Sequence, residues 1–169
     1  FFDIKPNSTK YDFFLSKTET DKAKKFIDTL GKKIKIGINT QGSFPEKSIK
    51  NQDLGRICVG LHNYCSDIQI VILSTPSQQV ENADFISRLK CDYVKCSYPT
   101  ETINDAAALI QKLDIIISPD TSIIHIAASF NIPTISIHEN NKDSYRLWAP
   151  TSSPVSYTHL RAHETLMNL

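Results

Sequence analysis

Residues 114–138 constrain the fold more than any other stretch, because three consecutive isoleucines precede a polar turn. Ile115, Ile116 and Ile117 are β-branched and apolar without alternation, which is typical of a strand buried on both faces of a sheet. Residues 118–122 have the sequence SPDTS, which contains turn-forming and helix-capping side chains. A helix and a second strand are predicted after this turn. The order strand, loop, helix, strand is the repeating unit of a parallel sheet.

The helix predicted from residue 123 to residue 130 has an apolar side and a polar side. Four apolar residues share the first side at helical spacing: Ile123, Ile126, Ala127 and Phe130. Ser122, His125 and Ser129 share another side at i, i+3 and i+7. Pro133 ends the helix, and residues 134–137 are predicted to form the second buried strand.

The turn lies at the carboxyl end of a strand and the amino end of a helix, where open α/β sheets bind ligands. Free N–H groups and the helix dipole favour a phosphate or a carboxylate there. Thr121 and Ser122 add hydroxyl donors, and His125 lies one turn inside the helix. Asp120 would repel a phosphate at contact distance, so we expect it to face sugar hydroxyls or a cation. The alternative is that Asp120 only caps the helix and His125 is a partly buried surface histidine.

The composition indicates one ordinary globular domain. The chain has 169 residues, of which 40% are hydrophobic and 22% are charged, too few for two full nucleotide-binding domains. The net charge of +1 argues against nucleic acid as the main partner. No apolar run approaches the roughly 20 residues that span a bilayer. Four cysteines show no metal-site or disulfide-framework spacing, and a reducing cytoplasm is their simplest setting: Cys58, Cys65, Cys91 and Cys96.

The remaining elements alternate strand and helix, which predicts a doubly wound, Rossmann-like parallel sheet with helices on both faces. In chain order we predict a strand at 10–16, a helix opened by Thr18 and Asp21 and closed at Gly31, a strand at 34–38, a helix at 51–64, a strand at 68–73, a helix at 81–90, a strand at 93–96 and a helix at 103–113. Residues 156–165 show neither a strand nor a helix pattern. We predict that residues 151–169 are a non-native tail.

The loop after the strand at 34–38 is a second candidate for phosphate binding. Residues 39–43 are small and hydrogen-bonding, among them Thr40 and Ser43, and Lys47 follows as a point charge. The spacing does not match the P-loop pattern, which disfavours a P-loop NTPase. Taken alone, the loop is more often a plain solvent-exposed connection.

Residues 114–134 resemble the signature of the family 9 glycosyltransferases, the heptosyltransferases, which has the approximate form D-x-x-I-x-x-D-T-G-x-x-H-x-A-A followed by P-T. The matching residues are Asp114, Asp120, Thr121, His125, Ala127, Ala128, Pro133 and Thr134. Ser122 stands where the family usually has glycine. Residues 100–110 are similar to the helix that precedes this signature, and the resemblance adds Thr102 as a candidate contact for the nucleotide. The family usually has a glutamate for the nucleoside in the loop after residue 73, whereas this chain has no carboxylate there until Glu81, and Gln78 or Gln79 is the alternative contact for the ribose.

The resemblance implies that residues 1–150 are the donor-binding, C-terminal half of a GT-B glycosyltransferase, whose acceptor domain precedes them. It implies inverting transfer of heptose from ADP-heptose to a lipopolysaccharide core acceptor, with the catalytic base in the absent N-terminal domain and none in this fragment, which alone is expected to be inactive. The implied donor site comprises Thr40, Ser43, Lys47, Thr102, Asp120, Thr121, Ser122 and His125. No metal and no cofactor are expected, the nucleotide sugar being a substrate.

Two other functions stay open at this point. One is a different GT-B sugar-nucleotide enzyme, with another donor or with epimerase activity. The other is a non-catalytic α/β binding module. The expected location is the cytoplasm. Peripheral association with the inner face of the bacterial inner membrane is compatible with that location. The glycolipid acceptor would be reached through the missing domain.

Overall fold

The computed structural model describes residues 12–139 and 155–160, with side chains described for residues 12–138. Residues 1–11 and 140–150 of the predicted domain lie outside that range. In chain order the elements are α1 (Lys17–Asp28), β1 (Ile34–Ile38), a 3-10 turn (Pro45–Lys47), α2 (Asn51–Tyr64), β2 (Ile68–Ile72), a second 3-10 turn (Pro76–Gln78), α3 (Gln79–Leu89), β3 (Val94–Cys96), α4 (Ile103–Ile110), β4 (Ile115–Pro119), α5 (Ser122–Ser129), β5 (Thr134–Glu139) and β6 (Val155–Leu160).

The six strands form one parallel sheet in the order β3-β2-β1-β4-β5-β6. The chain winds outward from β1 to β3, returns to the centre at β4, and then winds the other way. In register, Ile38 of β1 lies beside Ile72 of β2 and Ile117 of β4. The direction of winding therefore reverses between β1 and β4, and the predicted Rossmann-like fold is confirmed.

Helices cover both faces of the sheet, as the unbroken apolar strands predicted. On one face, α4 and α5 bury Leu109 and Ala127 against Val71 and Ile116. On the other face, α2 and α3 bury Leu54 and Phe85 against a set of strand isoleucines: Ile36, Ile38, Ile68, Ile70, Ile72 and Ile117. Successive residues of a strand point to opposite faces, so the isoleucine runs supply both cores. Among the described helices, none is long and apolar enough to cross a membrane.

The first predicted strand is wrong for residues 12–16. Phe13 and Leu15 pack against the core, but this segment forms no strand in the described chain. Ser16 instead begins α1 through a capping box, since its hydroxyl accepts from the Glu19 N–H and the Glu19 carboxylate accepts from the Ser16 N–H at 2.7 Å. The predicted opening by Thr18 and Asp21 was therefore two residues late.

Other features also differ from the sequence-based expectation, among them the following three. α4 ends at Ile110 because the next residues turn, with the Leu113 N–H bonding the carbonyl of Ile110. α5 buries Ile124 and Ala128 in addition to the predicted residues, so its apolar side is wider than expected. β6 pairs with β5 where no strand was expected. The assignment of residues 151–169 to a non-native tail stays a prediction.

Candidate functional site

A cleft of about 340 Å³ opens at the carboxyl ends of the paired central strands β1 and β4. Parallel α/β sheets bind ligands at this reversal point. Loops after β1, β2 and β4 and the amino ends of α4 and α5 form its walls. Its lining residues are Asn39, Gln41, Gly42, Leu73, Ser74, Thr75, Gln78, Thr100, Glu101, Thr102, Ile103, Ala106, Thr121, Ser122 and Ile123.

The buried Asn39 joins the two central loops. Its amide nitrogen donates to the carbonyl of Gln41 at 2.9 Å and lies 3.0 Å from the Ser118 Oγ and 3.3 Å from the Thr121 Oγ1. Its amide oxygen accepts from the Gln41 N–H at 3.2 Å. Sequence reasoning grouped Asn39 with a polar loop and missed this role. Its position directly after an apolar strand was the available signal.

The amino end of α5 faces the cleft, as the sequence predicted. Thr121 is the N-cap, and its hydroxyl accepts from the Ile123 N–H at 3.4 Å. Ser122 is exposed at the first helical position. The first N–H groups of a helix lack intrahelical acceptors, and the dipole adds a partial positive charge. This end of α5 is suited to bind an anion.

The amino end of α4 forms the opposite wall. Thr102 caps the helix in a reciprocal pair with Asp105: the Thr102 hydroxyl accepts from the Asp105 N–H at 3.1 Å and lies 3.2 Å from the Asp105 Oδ2. Since a carboxylate only accepts, the hydroxyl proton of Thr102 is directed at Asp105. Thr102 therefore lines the cleft without a spare hydroxyl donor, which the sequence pattern did not predict.

Lys22 of α1 supports this helix end from outside the cleft. Its ammonium lies 2.9 Å from the Asp105 Oδ1 and 4.7 Å from the centroid of the Tyr98 ring. Burial raises the pKa of the Asp105 carboxyl, but hydrogen bonds from Lys22 and Thr102 outweigh it, so the net pKa is lowered. The Tyr98 hydroxyl donates to the Asp105 carbonyl at 3.0 Å, and burial raises the Tyr98 pKa to about 12.

The loop after β2 contributes an amide group to the cleft. The Gln78 Oε1 accepts from both the N–H of Thr75 at 3.2 Å and its hydroxyl at 2.9 Å. The oxygen is thereby assigned, because only oxygen can accept from a backbone N–H, and the nitrogen of Gln78 remains a donor. Gln79 is directed elsewhere, donating to the Ser97 carbonyl at 3.2 Å.

The cleft is largely neutral, with an apolar side formed by Leu73, Ile103, Ala106 and Ile123. Of its described lining residues, Glu101 is the one charged side chain. An aromatic ring would fit the apolar side, and a diphosphate would depend on helix N–H groups and hydroxyls. Among the described residues, no group of three or more His, Cys, Asp or Glu side chains suits a metal ion.

The other predicted site residues lie around the cleft. Ser43 donates from its hydroxyl to the Asp120 carbonyl at 3.3 Å, which joins the loops after β1 and β4. Thr40 is buried, with its carbonyl accepting from the Ile49 N–H at 2.8 Å. Lys47 is exposed, its ammonium 5.8 Å from the Phe44 ring, and His125 is half-buried in α5. None of these four side chains, nor that of Asp120, is among the described lining residues.

Two further residues of the signature region are now explained by position. Asp114 lies at the amino end of β4, where its carboxylate accepts from the Lys35 N–H at 2.7 Å and aligns β4 with β1. It is structural and remote from the cleft. The Asp120 carboxylate lies 3.5 Å from the Nδ1 of His138, a residue that sequence reasoning did not select.

Gly42 is expected to be required for the loop after β1. A Cβ atom there would lie 2.6 Å from the backbone carbon and oxygen of Lys47, so we expect Gly42→Ala to destabilise the chain by about 1–3 kcal/mol. Gly60→Ala in α2 is the matched control, since a Cβ there meets nothing within 4 Å. The control should stabilise by about 0.5–1 kcal/mol, and urea unfolding measures both. Equal stability of the two variants would contradict the claim that the loop leaves no space for a side chain at residue 42.

The fold is a doubly wound α/β domain with a cleft at the reversal of winding, and comparison with known proteins identifies its family. The profile of glycosyltransferase family 9 (heptosyltransferase) matches residues 1–166. The chain therefore belongs to glycosyltransferase family 9. No curated protein sequence matches it.

Solved structures of this family share the fold. A family 9 glycosyl transferase from Veillonella parvula aligns with a TM-score of 0.73 and 13% identity, over 91% of this chain and 44% of that one. E. coli ADP-heptose LPS heptosyltransferase II aligns with a TM-score of 0.73 and 16% identity, over 97% and 51%. E. coli heptosyltransferase WaaC with ADP aligns with a TM-score of 0.63 and 17% identity, over 85% and 44%. This chain thus spans about half the length of these proteins.

Proposed function

We propose that this chain binds the nucleotide-sugar donor of an inverting glycosyltransferase, with ADP-heptose as the donor and a lipopolysaccharide core as the acceptor. The observation that carries the proposal is the cleft at the reversal between β1 and β4, into which the amino ends of α4 and α5 both open. Membership of family 9 supports the reaction class. WaaC, a similar fold, was solved with ADP and with ADP-2-deoxy-2-fluoro heptose, which favours an adenine nucleotide.

The contribution of this domain to catalysis would be stabilisation of the leaving group. In glycosyl transfer from a nucleotide sugar, negative charge grows on the diphosphate as the glycosidic bond breaks. The N–H group of Ser122, together with the hydroxyls of Thr121 and Ser122, supplies donors of the kind that stabilise such charge. We assign the diphosphate to this turn, with Lys47 and His125 approaching from outside the described cleft lining.

The sugar and the nucleoside would lie on either side of the diphosphate. Asp120 is an acceptor for sugar hydroxyls, because its carboxylate is partly exposed at the edge of the turn. The apolar side at Ile103 and Ile123 would hold the base, and the Gln78 amide donor requires an acceptor atom on the nucleoside. We place the base that deprotonates the acceptor in the N-terminal domain of the whole enzyme. Cytoplasmic location remains part of the proposal.

Calorimetry of the 169-residue chain with ADP-, UDP- and GDP-sugars tests this function. We expect saturable binding of one class, strongest for the ADP-sugar, and its loss in Asp120→Ala and His125→Ala. Binding of a UDP- or GDP-sugar instead would indicate a GT-B enzyme with another donor. The differences from the family pattern at Ser122 and Gln78 are the reason to test this alternative. Absence of binding to all three, with a folded chain, would contradict the proposal and favour a non-catalytic module.

A further inference from the structure

A buried histidine lies beside the candidate sugar-binding carboxylate at the end of β5. The His138 side chain is 5% exposed, and its Nδ1 lies 3.5 Å from the Oδ2 of Asp120. Its other ring nitrogen, Nε2, lies 2.7 Å from the Oγ of Ser136, which has no solvent exposure. Three polar side chains are therefore in contact, from the buried Ser136 to the partly exposed Asp120, which directly precedes the cleft-lining Thr121.

The register of the sheet places these residues together. β4 and β5 pair in parallel with Pro119 beside Ile137, and the Asp120 N–H continues the ladder by donating to the Ile137 carbonyl at 3.2 Å. Asp120 thus lies next to His138 in the adjoining strand. Ser136 and His138 are two residues apart in β5, so their side chains share a face. The contact therefore depends on the pairing of β4 with β5, which brings the first residue after β4 beside His138.

The chemistry of the three groups gives the contacts a direction. Because an ionised carboxylate can only accept, the tautomer of His138 that suits Asp120 is the one with a proton on the Nδ1. In that tautomer the Nε2 accepts, and the Ser136 hydroxyl at 2.7 Å is placed to donate to it. At 3.5 Å the Asp120 contact is longer than a good hydrogen bond, so it acts mainly as an electrostatic attraction that orients the carboxylate.

The rest of Asp120 is fixed by its backbone. Its N–H bonds the Ile137 carbonyl, and its own carbonyl accepts from the Ser43 hydroxyl at 3.3 Å. The side chain is 32% exposed, and orienting the Oδ2 toward His138 leaves the Oδ1 to accept from a ligand hydroxyl. Burial of a polar ring costs free energy that an aromatic hydrocarbon would not cost. A residue that only filled the core would not need its nitrogens.

We propose that His138 is a positioning residue that holds the Asp120 carboxylate in the orientation that binds hydroxyls of the donor sugar. This inference rests on the proposed function and extends it to a residue that would not contact the donor. The two parts of the donor would then be bound by different groups. Binding of the sugar would depend on His138 through Asp120, whereas binding of the nucleoside diphosphate would depend on the amino ends of the helices.

The test compares binding of ADP-glucose and ADP-heptose with binding of ADP to three histidine variants, by calorimetry. His138→Phe keeps the buried ring and removes both nitrogens, and we expect it to weaken the sugar nucleotides about tenfold relative to ADP. His138→Asn retains an N–H donor at the place of Nδ1 and should recover part of the loss. His62→Phe is the control, because His62 stacks on Tyr93 at 3.8 Å in the opposite core and should change neither ligand.

The ratio of sugar nucleotide to ADP distinguishes positioning from packing. A packing defect would weaken both ligands together, and an unchanged ratio in His138→Phe would overturn the inference. If no sugar nucleotide binds the parent chain, the proposed function fails instead.

The nitrogen NMR spectrum of the parent chain provides a test that needs neither a ligand nor a folded variant. We expect a proton on the Nδ1 of His138, the ring nitrogen that faces Asp120. A spectrum with the proton on the Nε2 alone would overturn the inference, because Nδ1 could not then donate toward Asp120.

Discussion

Replacing Ser122 by aspartate is expected to abolish binding of nucleoside diphosphates while the domain stays folded. Ser122 is the first residue of α5 and is exposed at the cleft. Two unit charges about 4 Å apart repel by about 4 kcal/mol at an effective dielectric constant of about 20, so we expect the affinity to fall by more than about a hundredfold. The same carboxylate favours the helix, since acidic groups near a helix amino end stabilise it by about 0.3–1 kcal/mol. Calorimetry with ADP and thermal unfolding measure the two effects.

Two milder variants of Ser122 separate the hydroxyl from the backbone. Ser122→Ala removes the hydroxyl and keeps the N–H, whereas Ser122→Pro removes both and is tolerated at the first helical position. The extended conformation of Thr121, with φ −147° and ψ 175°, suits a residue before proline. We expect the proline variant to bind ADP more weakly than the alanine variant. Retention of full affinity by Ser122→Asp would show that the phosphates bind elsewhere.

Replacing Asp105 by alanine is expected to cost about 2–3 kcal/mol of unfolding free energy. The change removes the acidic half of the α4 capping box and leaves the Thr102 N–H and hydroxyl without their acceptor, and each effect is worth about 1 kcal/mol or more. Loss of the Lys22 contact adds less, because the Lys22 side chain is 40% exposed. Urea unfolding measures the difference.

Asp84→Ala is the matched control for Asp105. Asp84 also pairs with a basic residue, since its Oδ2 lies 2.7 Å from the Nη2 of Arg88, but both side chains are more than 60% exposed. Exposed ion pairs contribute about 0–1 kcal/mol, so this variant should unfold nearly as the parent does. Equal destabilisation of the two variants would contradict the claim that the α4 cap stabilises the chain more than an exposed ion pair does.

The effect of Asp105 depends on pH in a defined direction. Its pKa is lowered in the folded chain, so the unfolded chain binds the proton more tightly. The stabilisation is therefore complete above the unfolded pKa of about 4 and is lost as the pH falls through the lower folded value. The difference in unfolding free energy between parent and Asp105→Ala should narrow below about pH 5. A constant difference down to pH 3 would contradict the lowered pKa.

The sequence predicts the structure correctly where the local residue pattern and the burial of the element agree. The isoleucine run of β4, the turn and α5 follow from residue type and spacing, and α2 was predicted with its observed bounds, Asn51–Tyr64. The site's place followed from the order of elements, because parallel sheets bind ligands at the reversal of winding. Thr102, Thr121 and Ser122 line the cleft for that reason.

Contacts between segments that are distant in the chain could not be predicted from the local sequence pattern. His138 lies one residue beyond the strand predicted at 134–137, and the pairing of β5 with β4 brings it to Asp120. The commitment of the Thr102 hydroxyl to Asp105, which Lys22 supports from 83 residues away, is likewise a tertiary effect. Local competition explains the error at α1, where the Ser16 and Glu19 pair formed the cap in place of Thr18 and Asp21.

Amide NMR of the uniformly labelled 169-residue chain, titrated with ADP, tests most directly whether the diphosphate binds where β4 leads into α5. We expect the largest saturable shifts at the N–H groups of Thr121, Ser122 and Ile123, with smaller shifts around Thr102. The amides of Cys58 and Phe85, in the core of the opposite face, should not move. Saturable shifts confined to other parts of the chain, or no shifts at any ADP concentration, would contradict the account.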